Sequence, residues 1–334
     1  METNDSKLFE IFDESTKIIV EALNISYLEG LIHSVENLMD KGQVYNEEKN
    51  LSENTVEKLK NLYKNIDLTN YNRESLANAM QLTLLKAMKE DYIQSNHQMT
   101  PDSIGNLMAY LIEVIVEPTE KIHLADLSVG TANLLLTVYH FLNQDKKREI
   151  ELSGIDNDEL MIAAASTNSA IQNTKIYLQY QDSLSNILLN PVDIMISDLP
   201  IGYYPLEDRA KKFQTHFPKE NQKSYSHYLL IEQSINYLKD SGYGFFLMPT
   251  NLFNDKNIKV LVNYLNEHAY IQAIIELPEE LFANEKSRKS VLVIQKKGEE
   301  AKQMSEVLLT KAPDFKNFEA MKQFLGEISE WKKK

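Results

Sequence analysis

The feature of this sequence that most constrains its fold is an apolar run that passes through small residues into a helical pattern. The run covers residues 122–127, the small residues are Ser128, Gly130 and Ala132, and the helical pattern begins at Leu134. This order predicts the strand, tight turn and helix of an α/β ligand-binding crevice. Small side chains let a ligand approach the backbone, and the N-terminus of the helix offers unpaired N–H groups.

Apolar strands alternate with helical patterns after this turn, which predicts a doubly wound α/β domain with a parallel sheet. Runs such as 192–196 and 245–248 are apolar almost throughout, as is typical of strands covered on both faces. We predict seven strands, at residues 121–128, 150–156, 175–181, 192–198, 243–249, 271–277 and 290–296. We predict helices from Pro101 to about Ile115 and near residues 133–143, 158–171, 226–240 and 256–267.

The chain divides into three predicted regions. Residues 1–95 carry apolar residues at the spacing of four helices, with a possible capping box at Ser26 and Glu29, and we interpret them as an accessory helical domain. Residues 96–300 contain the predicted sheet. Residues 301–334 are expected to form a C-terminal helical tail.

Composition narrows the class of protein. With 334 residues, of which 43% are hydrophobic, the chain can bury a sizeable core, yet it has no apolar run of about 18 residues. Its first residues lack a basic region and an apolar core, so we do not expect them to act as a secretory signal. The chain has no cysteine, which excludes disulfides and thiolate chemistry, and its seven histidines lack metal-ligand spacing. We therefore expect a cytoplasmic protein without a metal. The net charge of −14 argues against strong DNA binding by this chain alone, because phosphate contacts dominate such binding.

Acidic residues lie at the carboxyl ends of the first four predicted strands: Asp126, Asp156, Asp182 and Asp198. A single aspartate in this position is common as a helix cap, but four at the carboxyl ends of strands indicate a ligand site. Asp156 is placed to accept hydrogen bonds from a ribose diol, and Asp182 to contact an adenine edge.

The first turn lacks the pattern Gly-x-Gly-x-x-Gly, which disfavours a dinucleotide and a nicotinamide-dependent dehydrogenase. A nucleoside without phosphates, such as S-adenosylmethionine, fits the turn better. Asp126 would then face the charged amino acid end of that ligand.

Several motifs of the chain resemble those of N6-adenine DNA methyltransferases, most closely the modification subunits of type I restriction systems and their short stand-alone relatives. Thr100-Pro101 is similar to the family's Thr-Pro motif, and residues 126–135 to its Asp-Pro-Ala-Cys-Gly-Ser-Gly-Gly-Phe-Leu turn. Residues 242–253 resemble the fifth-strand region, and residues 274–282 a segment typical of modification subunits. The resemblance covers about residues 95–298.

The resemblance implies a Rossmann-like, seven-stranded methyltransferase sheet with S-adenosylmethionine as its cofactor. Ala132 stands where the family has its second glycine. The residues assigned to the cofactor are Thr100, Pro101, Asp126, Leu127, Ser128, Gly130, Ala132, Asn133, Asp156, Asn157, Asp182 and Ser183.

The catalytic motif of the family, Asn/Asp-Pro-Pro-Tyr/Phe, corresponds here to Asp198-Leu199-Pro200-Ile201. An exocyclic adenine amine is a poor nucleophile, so an enzyme must accept its hydrogen bonds and align it. Asp198 supplies a side-chain acceptor, Leu199 a backbone carbonyl, and Pro200 keeps the turn stiff.

The aromatic ring of the motif is missing. Stacking of a base on such a ring is worth about 1–3 kcal/mol, and Ile201 offers only apolar contact. Tyr203 or Tyr204 is the expected substitute in substrate binding, although loss of the stack weakens the case for a flipped DNA base. The irregular stretch 202–226 mixes basic and aromatic residues and is either a substrate-facing lid or an ordinary surface loop.

We therefore expect an S-adenosylmethionine-dependent N-methyltransferase similar to site-specific adenine-N6 DNA methyltransferases. A target-recognition domain is not expected in the roughly 35 residues after the sheet. Either a separate specificity subunit would recognise the target sequence, or the target is not a defined DNA sequence. One alternative is a cofactor-binding regulatory or scaffold protein that has lost turnover. Another is a methyltransferase that acts on RNA, protein or a small molecule. A homo-oligomer is also compatible with the sequence.

Overall fold

The computed structural model describes residues 4–46, 50–92, 99–145, 148–217 and 223–333. Within them the chain forms helices and strands that divide into two compact units. The helices are α1 Asn4–Leu23, α2 Tyr27–Met39, α3 Glu53–Tyr63, α4 Arg73–Glu90, α5 Asp102–Ile115, α6 Asn133–Leu142, α7 Glu159–Ile171, α8 Glu207–Ala210, α9 Ser226–Tyr237, α10 Ile258–His268 and α11 Phe318–Lys332. The strands are β1 Lys121–Asp126, β2 Glu149–Asp156, β3 Tyr177–Tyr180, β4 Val192–Asp198, β5 Leu238–Pro249, β6 Ala269–Glu276, β7 Lys289–Lys296 and β8 Leu308–Lys311.

The first unit is helical and consists of residues 1–99 together with 130–133 and 158–178, within the described ranges. Its core joins α1 to α4 with α7, because buried residues such as Phe12, Leu31, Met80 and Ala164 belong to one apolar cluster. The helical domain predicted for the N-terminus is therefore confirmed, and one helix of the predicted sheet domain shares its core.

The second unit carries the sheet, whose strands lie in the order β3-β2-β1-β4-β5-β7-β6-β8. Strands β2, β1, β4 and β5 are parallel to one another. Fully buried residues of β4 and β5, among them Met195 and Phe246, belong to a second apolar cluster that also holds Tyr228 of α9. The predicted α/β doubly wound fold is confirmed, with one more strand than we expected.

Two features of the sheet correct the sequence prediction. β7 runs antiparallel to both β5 and β6, because the segment 277–288 contains only short 3₁₀ turns and lacks the helical crossover that a parallel strand requires. Residues Leu308–Lys311, which we expected to be helical, form β8 beside β6. This strand is short and half exposed, so it leaves little apolar pattern to detect. The last helix, α11, follows it as expected.

No single helix in the described ranges is long and apolar enough to cross a membrane. The segments Ser6–Leu23 and Tyr27–Met39 meet that test only as a pair bent by 118°.

Candidate active site

Carboxylates from three neighbouring strands meet at one edge of the sheet. Asp126 ends β1 in register with Gly154 of β2 and Ile196 of β4, so the two flanking strands run two residues further at the same edge. Asp156 and Asp198 end the two flanking strands. The structure thus brings together three of the four aspartates that the sequence singled out, at the edge where parallel sheets bind ligands.

Asp126 is a buried carboxyl group with an unusual pKa. It is 2% exposed, and its Oδ1 accepts hydrogen bonds from the Ser128 N–H, at 2.9 Å, and the Ser197 hydroxyl, at 2.8 Å. Burial raises the pKa of Asp126 to about 7, against the effect of these two bonds, and the negative charges of Asp156 and Asp198 raise it further. A cationic ligand at this edge would relieve the repulsion among the three carboxylates.

The turn after β1 has the tight backbone that its small residues predicted. Gly130 has φ +51°, and a Cβ built on it would meet no atom within 4 Å. Ala132 also adopts a positive φ, +61°, and is fully buried. The Thr131 carbonyl accepts a hydrogen bond from the amide of Asn168 in α7 at 2.9 Å, and α6 begins at Asn133. Residues 130–133 belong to the helical unit.

Short connections link the strand ends within the sheet unit. The Ser183 hydroxyl donates to the Leu127 carbonyl, and the Gln181 N–H donates to the Asp156 carbonyl at 2.9 Å. Leu127 and Ser183 are buried, whereas Asp156 is half buried and Asn157 is exposed. Of these assigned cofactor residues, Asp156 and Asn157 are the accessible ones.

Asp182, the fourth aspartate, is held by a loop that lies far from it in sequence. Its Oδ2 accepts hydrogen bonds from the hydroxyl of Tyr204 and the guanidinium of Arg209, and its Oδ1 accepts the Leu184 N–H at 2.9 Å. Burial raises the pKa of Tyr204 to about 12, and the neighbouring carboxylate of Asp182 adds to this shift. The structure therefore places Tyr204 on the Asp182 side of the site. In the sequence, Arg209 is only one of several basic residues in the irregular stretch 202–226.

The carboxylate of Asp198 is engaged on both oxygens. The buried hydroxyl of Thr100 donates to Oδ2 at 2.9 Å, and the ammonium of Lys289 forms an ion pair with Oδ1. Pro101, exposed beside Thr100, is the N-cap of α5. Lys289, which begins β7, was not among the residues predicted for the site. It reaches the carboxyl edge because β7 is antiparallel, so the start of this strand lies there.

The remaining motif residues form the turn after β4. The Leu199 side chain is buried, and its N–H donates to the Leu247 carbonyl at 3.1 Å. Pro200 is half buried, and the Ile201 side chain is 44% exposed. The motif thus presents an apolar residue to solvent at the position where the family has its aromatic ring.

A ladder of stacked rings lies beside this motif. Tyr203, which is 58% exposed, stacks on Tyr225 with ring centroids 5.0 Å apart, and Tyr225 stacks on His227 at 5.1 Å. The hydroxyl of Tyr225 donates to Asp255 at 2.9 Å. Burial lowers the pKa of His227 to about 4, so its ring is neutral near pH 7. Tyr203 was predicted from the sequence, but its stacking was not, because the stack depends on an isolated β-bridge between Tyr203 and Tyr225.

Comparisons with known proteins agree with this architecture. The sequence matches the family described as N-6 DNA Methylase over residues 72–327, and the family described as YtxK N-terminal helical domain over residues 6–88. The protein YtxK of Bacillus subtilis is 33% identical over 332 residues, which are 98% of this chain and 97% of that protein.

Solved structures show the same fold. A Listeria monocytogenes protein assigned as a class I S-adenosylmethionine-dependent methyltransferase is 38% identical, with a TM-score of 0.90 over 98% of each chain. The methyltransferase subunit of a type I restriction-modification system from Streptococcus thermophilus is 14% identical, with a TM-score of 0.65 over 98% of this chain and 74% of that one. The fold, the motif order and these matches together show that the chain belongs to the N-6 DNA methylase family.

Proposed function

We propose that this protein binds S-adenosylmethionine and transfers its methyl group to an exocyclic amine of the adenine type. The observation that carries the proposal is the edge at which Asp126, Asp156 and Asp198 meet, with a buried carboxyl group whose pKa is raised to about 7. Such an edge favours a ligand with positive charge, and S-adenosylmethionine carries a sulfonium and an ammonium group.

The cofactor side follows from the strand ends. Asp156, half buried at the end of β2, is suited to accept the two hydroxyls of a ribose. Asp182 is oriented by Tyr204 and Arg209, and a carboxylate has about four acceptor positions, so its Oδ1 keeps capacity for an adenine amine. Asp126 would balance the charged amino acid end from beneath. When bound, the cofactor supplies an electrophilic methyl group.

The remaining cofactor assignments rest on the turn and on the family resemblance. The turn contributes its backbone because its side chains are small and its conformation is tight. Thr100 and Pro101, at the start of α5, are assigned to the methionine part. The supporting residues are Leu127, Ser128, Gly130, Ala132, Asn133, Asn157 and Ser183.

On the acceptor side, Asp198 and the Leu199 carbonyl would accept hydrogen bonds from the target amine and hold its lone pair toward the methyl group. Pro200 stiffens the turn, and Ile201 contributes apolar contact. We assign the stacking role to Tyr203 rather than Tyr204, because Tyr203 is exposed while Tyr204 donates its hydroxyl to Asp182. Stacking on Tyr225 keeps the Tyr203 ring oriented.

The experiment begins with cofactor binding. Isothermal titration calorimetry with S-adenosylmethionine should show binding that Asp156→Ala weakens about tenfold or more, since a hydrogen bond to a charged group contributes about 1.5–3 kcal/mol. Asp208→Ala is the control, because the Asp208 side chain is fully exposed. Absence of binding in the wild-type protein would refute the proposed cofactor.

The acceptor is then sought with labelled cofactor and separate DNA, RNA, protein and small-molecule fractions, each with and without cell extract. We expect N6-methyladenine in a nucleic acid fraction, with extract supplying a specificity subunit where one is needed. Methylation confined to protein would contradict the adenine assignment. The same assay on Tyr203→Ala should lose more turnover than that on Tyr177→Ala, which removes an exposed ring elsewhere.

A second candidate function is that of a cofactor-binding regulatory or scaffold protein. The engagement of Asp198 by Lys289 and Thr100, together with Ile201 in place of an aromatic ring, favours this alternative. It predicts calorimetric binding of the cofactor and no methyl transfer to any fraction.

A further inference from the structure

The ion pair between Lys289 and Asp198 lies where an acceptor amine would bind. Asp198 ends β4 in register with Leu247 of β5, and Lys289 begins β7 in register with Pro249, two residues further along β5. The two side chains are 18% and 21% exposed, so the pair is mostly withdrawn from water. An amine that takes the position of the Lys289 ammonium beside this oxygen displaces the ammonium.

Displacement has an electrostatic consequence. An ammonium moved from a partly buried carboxylate is left without compensation unless another anion replaces it. If the acceptor molecule brings that anion, the exchange keeps every charge paired. If the acceptor is cationic, its charge and that of Lys289 repel each other beside one carboxylate.

The backbone of Lys289 is held in place, whereas its side chain is flexible. The Lys289 carbonyl accepts the Leu277 N–H at 3.1 Å, which holds the backbone at the sheet edge. Lysine ends in a compact charge on a flexible four-carbon stem and is a common phosphate ligand. The neighbouring cations Arg288 and Lys311 both bind Glu279, so Lys289 is the member of this group that faces Asp198.

We propose that Lys289 is a specificity-determining residue that selects acceptors carrying a phosphate within reach of its side chain, such as an adenine nucleotide. The amine takes the place of the ammonium on Asp198, and the ammonium turns to the phosphate. This inference rests on the proposed function, because it takes Asp198 as the group that holds the acceptor amine.

The test is calorimetry on the full chain saturated with S-adenosylhomocysteine, titrated with adenosine 5′-monophosphate and, separately, with adenosine. The wild-type protein should bind the nucleotide about tenfold more tightly than the nucleoside, as expected for one charge-assisted contact. In Lys289→Gln, which retains a hydrogen-bond donor, the two affinities should become equal. Lys289→Arg should keep the preference, and Lys311→Gln, which removes a nearby cation, should leave it unchanged.

Three results would overturn the inference while S-adenosylhomocysteine still binds: equal affinities in the wild type, a preference that survives in Lys289→Gln, or no binding of either acceptor probe. A purely structural ion pair would lower the melting temperature of Lys289→Gln without changing the ratio of affinities, so thermal melts are recorded for each variant. Failure of S-adenosylhomocysteine to bind at all would refute the proposed function as well, which distinguishes the two failures.

Discussion

Asp126 combines almost complete burial with a carboxyl group, so its ionisation is coupled to folding. Its pKa is raised from an ordinary value of 3.8 to about 7, chiefly by burial. A raised pKa in the folded state means that the folded protein holds this proton more tightly than the unfolded chain does. The resulting stabilisation is complete below the unfolded pKa and is lost as the pH rises through about 7.

We expect Asp126→Asn to remove this pH dependence, because an amide does not ionise and its Oδ1 can still accept from Ser128 and Ser197. One pKa unit corresponds to about 1.4 kcal/mol, so the wild-type protein should lose at most about 4 kcal/mol of unfolding free energy between about pH 4 and pH 8 through this group. Urea denaturation across that range measures the loss. Asp208→Asn should keep the wild-type slope, and an unchanged slope in Asp126→Asn would contradict the assignment.

At the scale of single elements, α2 begins with a capping box that the sequence predicted. The Glu29 N–H donates to the Ser26 hydroxyl at 3.2 Å, and the Ser26 N–H donates to the Glu29 carboxylate at 2.8 Å. The structure confirms the pattern because both bonds are local and join residues only three positions apart in the chain.

We expect Ser26→Ala to lower the free energy of unfolding by about 1 kcal/mol, because the first turn of α2 loses its side-chain acceptor. Ser26→Thr keeps a hydroxyl and should stay within about 0.5 kcal/mol of the wild type. Chemical denaturation followed by circular dichroism gives both values. Equal stability of the alanine and wild-type proteins would show that the cap contributes nothing.

Two helical glycines provide a matched pair. A Cβ added to Gly105 of α5 would lie 2.8 Å from a methyl carbon of Thr137 in α6, whereas one added to Gly326 of α11 would meet no atom within 4 Å. Alanine favours a helix over glycine by about 1 kcal/mol, but overpacking costs about 1–3 kcal/mol.

We therefore expect opposite signs from the same substitution. Gly326→Ala should stabilise the protein by up to about 1 kcal/mol, and Gly105→Ala should destabilise it by about 1–2 kcal/mol, measured from denaturation midpoints and slopes. Stabilisation by Gly105→Ala would mean that α5 and α6 separate at no cost.

At the scale of the whole molecule, the net charge of −14 opposes binding of a long polyanion. The net charge acts over long distances, whereas the ammonium of Lys289 acts only on a group in contact with it. One local contact can therefore recognise a single phosphate in a protein that does not attract a duplex. Fold and family leave the acceptor unassigned, because the same sheet serves many substrates.

We expect the isolated protein to bind a fluorescent random-sequence duplex more weakly than about 10⁻⁴ M at physiological salt, the weak end of non-specific DNA binding. Fluorescence anisotropy measures this affinity, and a titration at low salt serves as the positive control. Micromolar binding with a steep salt dependence would reveal a basic surface that the charge balance conceals.

The limits of sequence prediction lie in the direction and pairing of strands. Apolar runs located seven strands, but the direction of β7 depends on the connection before it, and β8 is too short and exposed to stand out. The antiparallel course of β7 placed Lys289 at the edge of the sheet that carries Asp198, where only the carboxyl ends of parallel strands had been considered.

Local patterns were enough to predict the α/β class, the helical N-terminal region and the aspartates at the ends of the strands, because periodicity and strand-end chemistry are local properties. The ion pair of Lys289 with Asp198, the hydrogen bond from Tyr204 to Asp182 and the stacking of Tyr203 on Tyr225 became evident only in the folded chain. The first of these contacts joins residues 91 positions apart. Such contacts depend on how strands are ordered and directed, and no local pattern of residues encodes that order.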